Sequence, residues 1–595
     1  MASDTYKELH AVLSKFLDKN SFDCLAEKHR LTSNAREFLK DILETLCNTF
    51  PANYGAKYED LEEEAVVPYL ISLVALQIPV YFSCATLFDV FENYFQELLE
   101  EGKNVQPLKL CKVVFEVVKS CPLIWFLEVD ENAVKNLEIS DLEKPKENTA
   151  SLLLFLLKST DLMSLNSEEI RSHQRLRLFP RILVLCHAIL GRICEDPGVP
   201  DAILRNMELS VLRKVACDSA MACIQQLGKQ PWVSEISRKV ALDFLDFVSE
   251  RCGCNGVADL LSGPNVGILN EAPDFQKRKI FPNGLLGNVL KCLKHFMTKD
   301  KLVDSPVAVH VLVWSVLKVK HPFLGGHVSM VMPPLLVLVD DYRVHNRVTG
   351  IQALEHVVDN TNGAELCWYG RAEVIYEALH HRIHTNEPEV LEALHPCLLK
   401  VLKVIEPSPK KPVAGRKVNK CDLNFQIVLS SMEFESKIAL RRAYCKHLVK
   451  FINYMGITVL RHLKCLVRVV FRYLEIPDGT TEEWRLAMLD VLKSVITNAW
   501  PRMTVYADGI LECLMKVIVD ISISCSDVQL EAKQAMLVKI EECLLLLLLC
   551  CGELVRRQLV EMTSGLGHTE TEQLICRTLN VYKSRIEEGV STIAI

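Results

Sequence analysis

Hydrophobic residues recur along the chain with the spacing of α-helices, and the clearest case lies near its middle. Residues 332–341 form a short apolar segment with prolines near its start, and a turn at residues 342–346 follows. The next segment, residues 347–358, carries an apolar stripe of helical spacing formed by Val348, Ile351, Leu354 or Glu355, and Val358. The two segments predict a helical hairpin whose first helix is opened by proline.

Similar second helices recur towards the C-terminus and define a repeat length. Residues that mark equivalent positions in them are Arg347, Glu389, Arg441, Arg485 and Glu531. Their spacings are 42, 52, 44 and 46 residues, and periods of about 40–47 residues with two helices each are typical of HEAT or armadillo repeats. A single hairpin cannot bury its apolar face alone, so neighbouring hairpins must stack. The pattern predicts an all-α fold, a HEAT/armadillo-like α-solenoid of antiparallel helical hairpins.

The N-terminal part is also helical in pattern but shows no clear repeat. Apolar helical stretches are expected at residues 9–17, 38–46, 67–80 and 88–99, and at 150–157, 181–193 and 240–248 after a polar break at 140–149. Glycines and prolines then crowd together between Cys252 and Gly284, which favours a long connection. We therefore expect a divergent helical region at 1–252, a long loop or linker at 253–284 and a HEAT-like solenoid at 285–595.

A polar connector at residues 406–420 interrupts the expected solenoid. Its basic residues are Lys410, Lys411, Arg416, Lys417 and Lys420. Such a segment is expected to be an exposed loop, and a nuclear-targeting or acid-binding patch is the functional alternative.

Composition and charge narrow the classes of function. The 595 residues are 49% hydrophobic and 24% charged, with a mean hydropathy of +0.16, which excludes disorder as the dominant state. A net charge of −7 argues against nucleic acid as a primary ligand. The N-terminus lacks a signal-peptide pattern, and the most apolar run, Cys543–Cys551, is too short to cross a bilayer. We expect a soluble intracellular protein that binds neither nucleic acid nor membrane.

The 23 cysteines lie mainly inside apolar stretches without the spacing of a disulfide framework. This pattern predicts buried thiols in a reducing compartment. Cys252 and Cys254 form a Cys-x-Cys pair in a glycine-rich loop, and such a pair is able to bind a soft metal or react with oxidants. Because no second pair follows at zinc-site spacing, a loop with free thiols is the favoured interpretation.

Motifs that carry chemistry are otherwise missing from the sequence. No phosphate-binding glycine loop, nucleophile elbow or His-Glu-x-x-His motif is present. His380 and His384 would lie one turn apart on a helix and could supply two metal ligands, but no third is evident nearby, so a partly exposed helix end is favoured. We therefore predict no catalytic residue, no metal site and no cofactor.

Two turns combine an aromatic residue with arginine, which are types enriched at the centres of protein interfaces. They are Cys367–Arg371 and Trp500–Arg502, and packing between helices is the favoured alternative. Gly350, inside an expected helix, costs about 1 kcal/mol relative to alanine, which indicates close approach of a neighbouring helix or a partner.

Charge pairing is expected to contribute little to this array. Asp341 and Arg347 could link adjacent turns along the stack, but an exposed pair is worth only ~0–1 kcal/mol. Burial of Ile351 or Leu354 should contribute about 1.5–3 kcal/mol each. Packing is therefore expected to hold the repeats together.

The central segment resembles the Tel-two-interacting protein two family, whose members are subunits of the triple-T (TTT) co-chaperone complex. The resemblance rests on Pro333–Tyr342, Arg347–Leu354, Leu366–Arg371, Val374–Leu379 and Leu394–Leu402, in that order. It covers residues 320–405 well and extends to the C-terminus through the repeat pattern. The residues that fall on the family's repeat motif are structural, namely Pro334, Asp340, Asp341, Arg347, Gly350, Leu354 and Gly370.

The resemblance implies a non-enzymatic, all-helical subunit of the cytoplasm and nucleus. Such a subunit binds Tel-two and its first interacting protein, and supports the maturation and stability of phosphatidylinositol-3-kinase-related kinases of the mTOR, ATM and ATR type with the ninety-kilodalton heat-shock chaperone. Two alternatives stay open, a HEAT-repeat transport or trafficking adaptor that binds peptide cargo, and an enzyme with a metal at His380 and His384 or at Cys252 and Cys254. The partner-binding face is not indicated by the residues.

Overall fold

A computed structural model describes much of the chain, and the fold that it shows is helical. The described residues are 33–50, 78, 82–103, 105–121, 125, 143–163, 175–193, 201–263, 280–406, 417–523, 529–563 and 569–587. All regular secondary structure within them is helical, which confirms the predicted all-α class. The chain divides into two compact units, Met1–Met330 and Val331–Ile595.

The first unit contains eleven of the described helices. They are α1 Ser33–Asn48, α2 Cys84–Glu100, α3 Gln106–Ser120, α4 Glu143–Ser159, α5 Arg175–Ile193, α6 Asp201–Ile224, α7 Glu235–Arg251, α8 Val257–Ser262, α9 Leu286–Leu293, α10 Lys299–Asp304 and α11 Pro306–Lys318. Helices α1, α3, α5 and α7 pack side by side in one layer, and α2, α4 and α6 pack in a second. The apolar stretches expected at 38–46, 88–99, 150–157, 181–193 and 240–248 all lie in helices of these layers.

Helix α4 begins earlier than expected, inside the predicted polar break. One of its polar residues is bound by a distant helix, because the Lys146 ammonium donates to Asn206 Oδ1 of α6 at 3.0 Å. The Thr149 hydroxyl donates to the Pro145 carbonyl at 2.8 Å within the helix. Polar residues that find partners in a neighbouring helix can thus extend an apolar helix. The stretch expected at 9–17 lies outside the described residues, as does that at 67–80 except for Ile78.

The segment 253–284 contains a short helix, α8, where a loop or linker was expected. Its two described ends meet, because Leu285 N donates to the Leu260 carbonyl at 2.9 Å. Gly263 and Gly284 lie side by side with φ of 88° and 68°, and a Cβ on Gly284 would lie 2.2 Å from the Leu261 carbonyl oxygen. Both glycines are therefore required by backbone geometry. Residues 264–279 lie outside the described residues, and the boundaries proposed for the domains stay predictions.

The second unit begins within α12 and contains the helices that follow. They are α12 Val328–Asp340, α13 Val344–Asp359, α14 Gly363–Trp368, α15 Arg371–His380, α16 Pro388–Ile405, α17 Lys420–Phe434, α18 Ile438–Met455, α19 Leu463–Leu474, α20 Glu483–Asn498, α21 Met503–Ile523, α22 Leu530–Cys551, α23 Glu553–Thr563 and α24 Thr569–Glu587. Short 3-10 helices precede α12, α19 and α21 at Gly325–His327, Gly456–His462 and Trp500–Arg502.

These helices form the two-layered stack of hairpins that the repeat pattern predicts. In one layer, called the B layer, α13, α16, α18, α20, α22 and α24 pack in succession. The first five of these contain the five repeat markers, Arg347, Glu389, Arg441, Arg485 and Glu531. Helices α17, α19 and α21 pack in succession in the other layer, called the A layer, which α15 joins through α16. The unit is a HEAT/armadillo-like α-solenoid, as expected.

Ion pairs cross the exposed side of the B layer at similar heights on successive helices. Lys400 of α16 pairs with Glu355 and Asp359 of α13, and Lys493 of α20 pairs with Glu542 of α22. Two contacts join α16 to α18, Glu392 to Lys446 and Lys403 to Tyr454, and two join α20 to α22, Asp490 to Lys539 and Lys493 to Glu542. In each case the contacts follow one another in the same order along both helices, so these B-layer helices run in the same direction. Each pair is partly exposed and is worth only ~0–1 kcal/mol, whereas side chains such as Leu354, fully buried, contribute about 1.5–3 kcal/mol each.

Helix α12 begins at Val328, so Pro333 and Pro334 lie inside it and do not open it as expected. The two prolines lack the N–H groups that would bond the carbonyls one turn earlier. The chain is already helical when it reaches them, because a 3-10 helix at Gly325–His327 leads directly into α12. Full burial of Val328 and Val331 anchors this early turn.

Candidate interaction surfaces

The hairpin α12–α13 explains the glycine that interrupts the second helix. A Cβ on Gly350 would lie 2.8 Å from Leu338 Cβ and 3.0 Å from Val339 N. The two helices therefore touch through backbone at this point, which confirms the expected close approach and identifies α12 as the neighbour. Ile351 and Leu354 are fully buried beside the contact, whereas Val348, expected in the apolar stripe, is half-buried.

The charged residues of this hairpin turn make contacts other than the expected ones. The Asp341 carboxylate accepts hydrogen bonds from Arg343 N at 3.2 Å and from the Asn346 side-chain amide, within its own turn. Arg347 donates from Nη2 to the Tyr342 carbonyl at 3.3 Å. The expected Asp341–Arg347 link between turns is therefore wrong. Asp340 makes the cross-hairpin link instead, through an ion pair with Arg382, because it ends α12 with its side chain outside the packed face.

The other two residues of the family motif act through backbone shape and packing. Gly370 has φ of 65°, in the left-handed region, and precedes α15 with no atom within 4 Å of a Cβ placed there. Glycine is therefore required by the turn and not by a close neighbour. Pro334 is buried within α12. In this structure the seven motif residues shape a hairpin and its following turn, and their wider role stays a prediction.

The aromatic turn before α15 faces solvent. Trp368 is 85% exposed and Tyr369 68% exposed, so the expectation of helix packing is wrong at this turn. The Arg371 guanidinium lies 4.7 Å from the centre of the Tyr369 ring. Trp500, in the second aromatic turn, is half exposed. Exposed rings next to arginine have the composition of an interface centre.

The histidine cluster connects two A-layer helices. Helix α15 ends at His380, and His384 lies in the turn beyond it. His380 stacks on Tyr376, and its Nδ1 is 2.9 Å from Asn424 Oδ1. The Asn424 amide nitrogen already donates to Tyr376 Oη at 3.0 Å and to the Lys420 carbonyl at 2.7 Å. His380 Nδ1 is therefore the donor to Asn424 Oδ1, and this histidine joins α15 to α17.

The described residues around these histidines do not include a third metal ligand. Among the residues that the structure describes, no group of three His, Cys, Asp or Glu side chains is placed to hold a metal ion. The described helices also include none that is long and apolar enough to span a membrane.

A groove of about 560 Å³ opens between α15 and α17. Its lining includes Tyr376, His380, His384, Leu423, Ile427 and Phe434. Phe434 is 78% exposed and Leu423 48%. At the α17 start, the Lys420 ammonium lies over the Tyr376 ring and pairs with Glu373. A groove lined by apolar and hydrogen-bonding side chains suits a peptide or helix better than a small reacting substrate.

One feature of the sequence indicates this groove, namely apolar residues outside the buried stripe of α17. Helix α17 is apolar on two sides, because Leu423, Ile427 and Phe434 lie off the buried stripe that contains Phe425 and Val428. An apolar residue outside the stripe of a surface helix points to a contact surface.

Comparison with known proteins identifies the family. Residues 299–481 match the Tti2 family. The chain is 33% identical over 323 residues to TELO2-interacting protein 2 of Homo sapiens, which covers 54% of this chain and 61% of that protein. It is 33% identical over 360 residues to TELO2-interacting protein 2 of Mus musculus, which covers 60% of this chain and 67% of that protein. The chain belongs to the Tti2 family.

The Tti2 match begins at α10 and ends just before α20, so it contains the motif hairpin, the aromatic turn and the groove. The chain spans about three fifths of the length of the human relative that it matches. Among solved structures, karyopherin Kap121p is similar with a TM-score of 0.39 and 14% identity, over 97% of this chain and 57% of that one. Importin beta is similar with a TM-score of 0.37 and 13% identity, over 96% and 76% of the two chains.

The cysteines of this Tti2-family chain are mostly buried where the structure describes them. Burial raises the pKa of the Cys252 thiol to about 12, and Cys254 is only 8% exposed. Because the thiolate is the reactive and metal-binding form, a neutral buried thiol does neither readily. This agrees with the interpretation of Cys252 and Cys254 as free thiols, and it places them in the core and not in an open loop.

A buried ionic cluster lies where α19, α20 and α21 meet in the Tti2-family chain. Arg485 is one of the five repeat markers. Its side chain is almost fully buried and contacts Asp520 at 2.9 Å and Glu482 at 3.2 Å. Its Nε donates to the Leu474 carbonyl at 2.9 Å. Burial raises the pKa of Glu482, which also has a left-handed φ of 51°. Asp478 accepts from Trp484 N at 2.7 Å and pairs with Arg442. The cluster stabilises the turns of this part of the stack.

Proposed function

We propose that this Tti2-family chain is a non-enzymatic scaffold subunit of the TTT co-chaperone complex. In this role it supports the maturation and stability of phosphatidylinositol-3-kinase-related kinases of the mTOR, ATM and ATR type, together with the ninety-kilodalton heat-shock chaperone. The observation that carries the proposal is the identity of 33% to relatives whose name states that they interact with TELO2.

The architecture supports a role in binding proteins. A stack of hairpins presents long surfaces made of successive turns and helices, which suits contact with other elongated helical proteins. The direct partners proposed are Tel-two and its first interacting protein, and the kinases and chaperone are reached through them. We place the protein in the cytoplasm and nucleus, where such a complex would meet newly made kinases.

The groove between α15 and α17 is one surface on which such a partner can dock. An amphipathic helix could place apolar side chains against Leu423 and Phe434 while its polar side meets the solvent. The groove offers hydrogen-bonding groups, such as His384 and Ser430, without a nucleophile held by a base. Binding without chemistry is the function that this geometry supports best.

The test is affinity purification of the tagged full chain from its own cells at moderate salt, with mass spectrometry of the retained proteins. The proposal expects Tel-two and its first interacting protein, together with kinases of the family. Recovery of transport cargo or other partners alone would leave the helical fold standing and reject the TTT function.

A pair of variants on one helix separates folding from binding in that experiment. Leu354→Asp introduces a charge at a fully buried position and should unfold this part of the stack and abolish co-purification. Gln352→Asp, two residues earlier on the exposed side of α13, should fold and retain the same proteins. Unchanged folding of the Leu354 variant with unchanged partners would contradict the assignment of this face to the core.

A further inference from the structure

The second unit has two distinct edges, because the B-layer helices run in the same direction. Turns that follow B-layer helices lie at one of them, called the basic edge, which comprises residues 360–371, 403–406, 417–420, 456–464 and 499–505. Turns that precede B-layer helices lie at the other, called the acidic edge, which comprises residues 340–343, 381–389, 433–437, 475–483 and 529–531.

Cations without an ion partner among the described residues gather at the basic edge. They are Arg371, Lys403, Lys417, Lys464 and Arg502. Two carboxylates at this edge also lack an ion partner among the described residues, Glu365 and Glu406. Two of the cations are positioned by rings, since Arg371 lies over Tyr369 at 4.7 Å and Lys403 over Tyr454 at 5.4 Å. The basic edge therefore has an excess of positive charge that the chain itself does not neutralise.

Exposed aromatic and aliphatic side chains lie among these cations. Trp368 is 85% exposed, Tyr369 68% and Val418 63%. The left-handed backbone of Gly370 ends the turn that carries the two rings. A tryptophan and a tyrosine held at the surface beside arginine are the residue types that dominate binding energy at protein interfaces.

Hydrogen bonds tie the parts of this edge to one another. The Cys367 thiol donates to the Val404 carbonyl at 3.3 Å, which joins the aromatic turn to the end of α16. The Glu406 carboxylate accepts from Lys420 N at 2.7 Å and from Cys421 N at 3.1 Å, which joins that end to the start of α17. A partner therefore meets a surface whose geometry is fixed before binding.

We propose that the basic edge is the docking surface for an acidic segment of a partner protein that carries aromatic or aliphatic anchor residues. The inference deepens the scaffold function proposed above and rests on it. Charge complementarity selects the occupant, because carboxylates would neutralise Arg371, Lys403 and Lys417 while apolar anchors cover Trp368 and Val418.

Protein fits this surface better than nucleic acid does. The chain as a whole has a net charge of −7, so it repels a long polyanion at a distance. The cations are spread over successive turns with apolar side chains between them, and this arrangement matches a segment of mixed acidic and apolar residues. A second copy of this chain could bring its acidic edge to the same surface, and the experiment separates that outcome.

The experiment uses the full chain, tagged and purified from its own cells, as the wild type and three variants. The wild type is compared with a basic-edge variant, Arg371→Glu with Lys403→Glu and Lys417→Glu, and with an acidic-edge variant, Glu389→Lys with Glu475→Lys and Glu531→Lys. Each variant reverses three charges that lack ion partners among the described residues, so both should fold with unchanged far-UV circular dichroism and melting temperature. Retained proteins are quantified by mass spectrometry after zero-length carbodiimide coupling, which joins lysine to a contacting carboxylate.

The expected result is a loss of at least about tenfold of a wild-type partner in the basic-edge variant, with less than about twofold change in the acidic-edge variant. In the wild type, Lys403 or Lys417 should be coupled to aspartate or glutamate in a segment of that partner with net negative charge. Substitution of Arg371→Lys with Lys403→Arg and Lys417→Arg keeps the charge and should retain the partner.

Three results would overturn the inference. One is unchanged partner recovery in the basic-edge variant, and another is coupling of these lysines to carboxylates of a second copy of this chain. The third is binding of an oligothymidylate of about 30 nucleotides that is lost in the basic-edge variant. Recovery of every wild-type partner, Tel-two included, by all forms would reject the edge and keep the scaffold function. Absence of Tel-two and its first interacting protein from the wild-type purification would reject the scaffold function directly.

Discussion

At the acidic edge of the second unit, several charged side chains are buried and paired with one another, whereas at the basic edge cations face solvent beside exposed rings. Glu482 at the acidic edge and its partner Arg485, in the first turn of α20, are almost fully buried, while Lys403 and Arg502 at the basic edge are exposed. The buried cluster at the first edge therefore contributes to the stability of the fold, whereas the unpaired cations at the second can meet a partner. Charges in one stack can thus have different roles.

The difference between the two edges is tested most directly by a substitution of Arg485. The substitution Arg485→Met leaves the Glu482 carboxylate buried without its cation, and we expect a loss of about 3–5 kcal/mol in the free energy of unfolding. Arg502→Met at the basic edge removes an exposed cation and should change it by less than about 0.5 kcal/mol. Urea denaturation followed by circular dichroism measures both. Equal midpoints for the two variants would contradict the assignment of different roles to the edges.

A buried group away from both edges gives the next largest effect and depends on pH. Burial, with a smaller contribution from His447, lowers the pKa of His395 to about 3, and His395 Nε2 has no hydrogen-bond partner among the described residues. Below pH about 6.5 the unfolded chain binds a proton there that the folded chain does not, so stability falls as pH falls.

The expected loss from His395 between pH 7 and pH 5 is about 2 kcal/mol. The substitution His395→Leu should remove this part of the pH dependence, because leucine suits a site between the Tyr444 and Phe451 rings. Denaturation midpoints at the two pH values measure it. An unchanged pH dependence in the variant would show that another group is responsible.

A glycine pair tests the packing between the two layers. Gly350→Ala places a Cβ 2.8 Å from Leu338 Cβ, and the overpacking should exceed the gain in helix propensity, for a net loss of about 1–2 kcal/mol. Gly191→Ala, in α5 of the first unit, meets nothing within 4 Å and should stabilise by up to about 1 kcal/mol. Melting temperatures that move in the same direction would contradict the close contact.

The smallest effect is expected where a charge at the acidic edge is exposed. The Asp340–Arg382 pair is partly open to solvent, so Asp340→Asn should change the free energy of unfolding by ~0–1 kcal/mol. A loss as large as that for Arg485→Met would mean that exposure does not separate the two kinds of charge. Denaturation in high salt gives a second check, because screening should weaken the exposed pair and leave the buried cluster.

The helices and their order could be predicted because their information is local. The stripe on residues 347–358 and the recurring markers are set by side chains a few positions apart, and Gly350 indicated a close neighbour by its cost in a helix. Pairings between distant residues were not accessible in this way. The Asp340 partner, Arg382, lies 42 positions away, and nothing in the local pattern distinguishes it from the nearer Arg347.

Exposure was the property that local pattern predicted least well. Trp368 is a residue type usually found in the core, yet it is 85% exposed. The turn that carries it, which ends at Gly370, faces solvent. The start of α4 was missed for the converse reason, since Lys146 is polar in sequence yet bonds Asn206 of another helix. Both depend on which element lies opposite, and a single sequence does not encode that in its spacing.

Burial of the cysteines has a kinetic consequence for the living protein. Burial holds the thiols of Cys111, Cys252 and Cys543 neutral, with pKa values of about 12, so an oxidant or alkylating agent reaches each one only when its own part of the stack opens. The three residues belong to different hairpins. The order in which these thiols become modified therefore reports the order in which the hairpins that contain them open.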